Sequence, residues 1–378
     1  MRKQIVALGL LFFAGLLALA CVSNTQAQRS AATDAGNGWQ KTAAQPIPSA
    51  YKLSGPYSHK NLTVFLIHGN DNSSGKTPLT LQEAMASQKV KVIETSNVNE
   101  LAIENVSDEE VFVQSGDIVK GGKQDRVLAM DFIVPPHSGK LPIDSFCVEH
   151  GRWQQRGGES ALAFSSSDQM LNHKDLKIAA KSKKSQQEVW DKVAESQMKL
   201  SENVAVAASP APLADANNVQ GNIAARRVEV ASSTSRSSLQ LTLENKAVKE
   251  TADEYSKALA SAMAGKKDVI GYAFAINGNI NSADVYSSHA LFAKLWPKLL
   301  KASAIEAIAE FDQSRQSEAV SVASVQAFLT EAEMGAAEQK QITPQVELEK
   351  RESDKNLFFE TRNRQNGEKW LHRNYLKK

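Results

Sequence analysis

The side chains best suited to chemistry sit on Gly-rich corners in the first half of the chain: Asp117, Gln124, Asp125 and Arg126, then Glu149, Arg152 and Trp153. A carboxylate beside a guanidinium can activate a water for hydrolysis, with Asp117 or Glu149 as base and Arg126 steadying negative charge. The same mixture can instead hold a polar ligand, with Trp153 either offering its ring face or plugging a strand end. No nucleophile–base–orienter set accompanies these residues, which favours binding over catalysis. Cys147 shares a strand face with Glu149. It reads as a nucleophile or as a small buried hydrophobe, and the neighbouring carboxylate disfavours a thiolate.

Two other chemistries are argued against by spacing. In Gly69-Asn70-Asp71-Asn72-Ser73-Ser74-Gly75-Lys76-Thr77, five residues separate the glycines where a phosphate-cradling loop needs about four, and Pro78 removes a backbone donor where a helix should begin. The stretch reads as a surface turn, and no cofactor is expected. The 7 histidines, His59, His68, His137, His150, His173, His289 and His372, are dispersed without a metal-ligand pattern, so no metal is expected.

Sheet must position the loop residues. Val111–Ser115, Val127–Val134 and Ile143–Val148 are short β-type runs, with Gly116, Gly121 and Gly122 bracketing one loop and Pro135, Pro136, Gly139 and Pro142 the next. Upstream, 62–67, 89–94 and 101–105 read as strands, and Thr80-Leu81-Gln82-Glu83 has the spacing of a capping box opening a helix through Ala86. Downstream, Lys181–Val204 carries a helical apolar stripe and Asn245–Met263 is a second helix. Val269–Ile276 and Ile280–Tyr286 form a hairpin around Asn277-Gly278, with Asp284 and Tyr286 on one face of the return strand. His289–Ile308 is a helix with a broad apolar face and a kink or break at Pro297, and Ser324–Met334 is another. The fold class expected is α+β: an antiparallel, sandwich-like β layer with packed helices and a second hairpin–helix unit.

The phrases GDIVKGGKQDR, FCVEHGRW and AINGNINSADVYSSHALFAKLWPKLLKASAIEAI, in this order, resemble the ARG- and rhodanese-phosphatase-superfamily-associated protein domain family. The resemblance runs from about Tyr51 to Phe311. It implies no activity, because none is established for the family, and it marks Gly116, Asp117, Gly122, Gln124, Arg126, Cys147, Glu149, Gly151, Arg152 and Trp153 as residues to watch.

The chain's two ends carry the remaining signals. Arg2 and Lys3 precede an apolar run from Ile5 to Ala20, followed by Cys21 and polar residues, the pattern of an export signal and short for a spanning helix. Processing before Cys21 would leave a lipidated residue and a membrane anchor; cleavage near Ala27 would release the protein freely. With only Cys21 and Cys147 present, no internal disulfide can form after processing. Residues 28–50 read as a flexible tether, 51–312 as the α+β domain with an Ala/Ser/Pro-rich flexible segment at 205–238, and 313–378 as a C-terminal helix and strand hairpin. In that tail Arg362, Arg364, Lys369, Arg373, Lys377 and Lys378 mix with Phe358, Phe359, Trp370 and Tyr375. They read either as a contact for anionic polymers or as solvated strands with the rings packed inward.

A net charge of +2 over 378 residues leaves no basic excess to displace counterions, which argues against nucleic acid as partner. The expectation is therefore a periplasmic or envelope-associated protein that binds a polar small molecule or envelope glycan, such as a phosphorylated sugar. The alternative is a hydrolase using a carboxylate-activated water.

Overall fold

Strands buried on both faces read as unbroken apolar runs, and Val269–Ile276 is such a run, with every residue buried. It lies deep in the larger of the sheets. In the computed structural model, which describes residues 38–44, 47, 51–72, 75–209, 227–312, 314, 319–364 and 369–378, the strands form three sheets. The expected export signal with Cys21, and residues 365–368 of the expected C-terminal hairpin, lie outside these residues.

The chain runs through β1 (Gln40–Thr42), β2 (Lys52–His59), β3 (Leu62–His68) and β4 (Leu79–Thr80), then α1 (Leu81–Ala86), β5 (Val90–Asn97) and β6 (Glu100–Asn105). Short strands follow: β7 (Val111–Val113), β8 (Asp117–Gly121), β9 (Arg126–Leu128) and β10 (Phe132–Val134), before the longer β11 (Gly139–Cys147) and β12 (Phe164–Met170). Helices α2 (Lys174–Lys177), α3 (Gln186–Ala207), α4 (Leu239–Leu243) and α5 (Lys246–Ala260) precede the hairpin of β13 (Val269–Ile276) and β14 (Asn279–Tyr286). Helices α6 (His289–Ala309) and α7 (Val322–Glu333) lead to β15 (Ala336–Thr343), β16 (Val346–Glu352), β17 (Asn356–Asn363) and β18 (Lys369–Lys377).

The nine-stranded sheet has the order β1-β15-β16-β17-β18-β14-β13-β3-β2, a six-stranded sheet the order β12-β8-β9-β11-β6-β5, and a three-stranded sheet the order β10-β7-β4. All pairs are antiparallel except β4 with β7. The architecture is α+β.

Alternation decides what each face of the large sheet covers. Leu62, Val64, Leu66, Tyr272 and Phe274 share a core with apolar residues of α3, α5 and α6, while Phe65, Ile67, Ala273, Ala283 and Val285 pack against Val325, Phe328 and Leu329 of α7. A third core of Val90, Val92, Leu101, Ile103, Val111, Val113, Leu128 and Val134 joins the two smaller sheets. The capping box at Thr80 and Glu83 is formed as the spacing predicts. Asn277 and Gly278 take φ of 49° and 73°, the left-handed pair that a two-residue hairpin turn requires.

Several expectations need correction. Asp117–Gly121, read as loop, is strand β8. Val127–Val134, read as one strand, is two, because the chain leaves one sheet for another around Asp131. Of the kink or break expected at Pro297, the break is excluded, because the residue lies inside a continuous α6. In the expected tether, β1 pairs with β15 and Trp39 is buried. In the expected flexible segment, Val228 donates to the Ser201 carbonyl and Val230 is buried, while 210–226 lie outside the described residues. The C-terminal strands are not an appended hairpin: β18 pairs with β14 at the middle of the large sheet. No helix of the described residues is long and apolar enough to cross a membrane.

Candidate functional site

The loop cluster comes first, because its residues were the ones sequence singled out. Asp125 and Glu149 are both fully buried and share a set of cations. Arg156 clamps Asp125 at 2.8 and 2.9 Å, Ser238 donates at 2.8 Å and the Gly121 N–H at 3.0 Å. Glu149 accepts from Arg152 Nε at 2.8 Å, from the Asp125 N–H at 3.1 Å and from the Ser235 hydroxyl, with Arg152 Nη2 at 2.7 Å. Burial opposes charge on Glu149, and these donors overcome it and hold its carboxyl below the usual range. Gln124 donates to the Glu149 carbonyl at 2.9 Å, and Arg126 is buried against the Gln124 carbonyl at 3.1 Å and Glu94 at 3.5 Å, with Trp153 over it at 5.5 Å.

These contacts staple three loops together and bury both carboxylates. Asp117 is engaged elsewhere, with Lys298 at 2.7 Å and the Gln114 N–H at 3.0 Å. The expectation that Asp117 and Glu149 share a wet pocket is therefore corrected: each is sealed by its own partners. Trp153 alone of the seven is well exposed, at 43%. Cys147 is buried, and burial pushes its thiol up to about 11, with Arg126 opposing.

The sequence missed a second assembly where the three sheets meet. His372 on β18 lies between two carboxylates: Nδ1 is 3.2 Å from Asp131 and Nε2 3.0 Å from Asp284 on β14. Lys181 reaches Asp131 at 2.9 Å, the Ser115 N–H donates to it at 2.7 Å and Asn374 donates to Asp284 at 2.8 Å. The Tyr286 ring stacks on His372 at 4.4 Å. Burial disfavours charge on His372, yet the two carboxylates raise its pKa above the ordinary value. Burial likewise opposes ionisation of Asp131, and Lys181 and His372 reverse it, holding the carboxyl far below its usual range. A small cavity lined by Gln114, Lys177, Lys181, Asp284 and His372 has room for about one water. Asp284 Oδ2, Ser282 Oγ and Tyr286 Oη are buried without a hydrogen-bond partner. Of these residues only Asp284 and Tyr286 had stood out, from their alternation on β14.

A larger cleft opens beside α2, the start of β14 and α6, about 220 Å³ in volume. A register shift leaves Asn281 without a Cα partner on β13. Its amide donates to Glu306 Oε1 at 2.8 Å, and the Lys174 N–H donates to the same oxygen at 3.0 Å. Glu306 Oε2 and Asn281 Oδ1 are buried and unpartnered. The cations nearby are mostly engaged: Glu310 takes His173 at 2.8 Å and Lys199 at 2.7 Å. Those contacts hold Glu310 at about 2, the His173 hydrogen bond being the larger cause. Among the described residues, no group of three His, Cys, Asp or Glu could hold a metal.

Fold and sites together define an α+β protein with three sheets, a polar junction between them and an open polar cleft at one side. The chain belongs to the ARG and Rhodanese-Phosphatase-superfamily-associated Protein domain family, whose profile matches residues 50–376. The match takes in the C-terminal strands, as their place in the large sheet requires. No match was found among curated proteins or among solved structures.

Proposed function

We propose that this is an exported protein of the cell envelope, periplasmic or anchored through a lipidated Cys21, that binds a polar ligand of glycan or sugar type in the cleft beside α2. The observation that carries the reading is the pair of buried, unpartnered acceptors lining that cleft, Glu306 Oε2 and Asn281 Oδ1. A buried acceptor left without a donor costs about 1–3 kcal/mol, so a folded protein keeps one where something else supplies the donor. The cleft's free volume, about 220 Å³, is below the usual range for drug-sized ligands and suits a small one.

A thermal-shift screen of sugars and sugar phosphates, run on wild type and on Asn281→Leu, tests this. A ligand that raises the Tm of wild type and not of the variant supports it. A library without effect on wild type, or with equal effect on both, refutes it. The hydrolase alternative has less support, because Asp117 and Glu149 are each engaged by their own partners and the junction around Asp284 has room for about one water and none for a substrate.

A further inference from the structure

We infer that the cleft beside α2 selects an amino sugar, a hydroxyl-rich ring carrying a primary ammonium, over a phosphorylated sugar. The inference rests on the cleft being a ligand site and goes on to assign the ligand's polarity. Both unpartnered atoms are acceptors, one a carboxylate oxygen and the other an amide oxygen. They call for an ammonium at Glu306 and a hydroxyl at Asn281, which fits the donor capacity of an amino sugar.

A phosphate would need cations free to hold it. Lys199 is bridged between Glu195 at 2.8 Å and Glu310 at 2.7 Å, and His173 is tied to the same Glu310. Only Lys174 among the lining cations has a side chain without a hydrogen bond or ion pair among the described residues. An anion here would face the carboxylates of Asp175, Glu306 and Glu310, which line the cleft. Ile276 and Ile280 supply the apolar wall against which the CH face of a sugar ring packs.

The two acceptors have almost no exposure, so a ligand's ammonium reaches them with a local movement of the residues that line the cleft. Lys174, another lining residue, has an amine unpaired among the described residues that would repel a cationic ligand there. Its backbone N–H already holds Glu306 Oε1 in place at 3.0 Å. Removing the lysine side chain therefore favours a cationic ligand and leaves the anchoring hydrogen bond intact.

Calorimetric titration of the mature protein with glucosamine, glucose and glucose 6-phosphate tests the assignment. Glucosamine is expected to bind at least about tenfold more tightly than glucose, a difference of about 1.4 kcal/mol, and glucose 6-phosphate no better than glucose. Glu306→Gln should erase the preference for glucosamine while keeping the binding of glucose. Lys174→Ala, a change at a half-buried side chain that leaves the fold alone, should tighten glucosamine severalfold. Glucose 6-phosphate binding most tightly, or a glucosamine preference that survives Glu306→Gln, overturns the amino-sugar assignment and leaves the cleft a ligand site. If none of the three binds, the assignment falls; the cleft reading itself falls only when the wider screen is also silent.

Discussion

Replacing His372 by glutamine separates the forces at the sheet junction. The imidazole bridges Asp131 and Asp284, at 3.2 and 3.0 Å. Asp131 would keep Lys181, the Ser115 N–H and the Thr361 hydroxyl at 3.2 Å, whereas Asp284 would keep Asn374 as donor and the nearby charges of Lys177 and Lys181. Breaking one partner of a buried ion pair costs about 3–5 kcal/mol. Because Asp131 stays neutralised, His372→Gln is expected at the lower end, about 3 kcal/mol. Urea unfolding followed by tryptophan fluorescence reads the loss as a lower midpoint at unchanged slope.

The pH dependence gives an independent check on the same residue. The folded pKa of His372 lies above its ordinary 6.5, so its contribution is fully present below about 6.5 and is lost as pH rises through the folded value. Wild type should weaken over that interval and His372→Gln should lack that component. A loss under about 1 kcal/mol, or an alkaline weakening unchanged in the variant, would refute the reasoning.

Three further outcomes follow from the loop staples and their neighbours. Arg156→Ala strands Asp125 in the interior and should cost about 3 kcal/mol, measured by the same unfolding, with Asp125→Asn restoring part of it. Gly122→Ala would place a Cβ 2.3 Å from the Phe164 ring at a φ of +55°, so a fall in Tm of several degrees is expected by calorimetry; an unchanged Tm would count against the packing described. Cys147 should be inert to a thiol reagent at pH 8 until the protein unfolds, since burial pushes its thiol up to about 11; rapid native labelling would contradict its placement.

What the sequence made legible was local. The Asn277-Gly278 hairpin and the Thr80–Glu83 capping box depend on neighbours in the chain, and both form as their spacing requires. The sealing of Asp125 and Glu149 was not legible, because Ser238 and Ser235 arrive from 113 and 86 residues away and Arg156 sits in a loop without periodicity. The bridge between His372 and Asp284 spans 88 residues.

The C-terminal strands misled for a different reason. Their core positions are interrupted by buried charges that neutralise one another across the sheet. Glu360 lies opposite Arg373 and pairs with it, and Glu349 pairs with Arg351 and Arg362. A pattern that treats charge as surface misplaces such strands, although Phe358, Phe359 and Tyr375 are buried as one of the two sequence readings had it.

Hydrogen exchange with and without a bound sugar tests most directly whether binding resides in the cleft and the first-half charges act as staples. Added protection is expected at 173–175 and 276–281, with none at 117–126 or 149–153. Protection confined to the two first-half segments would contradict the account and return the ligand to the stapled loops.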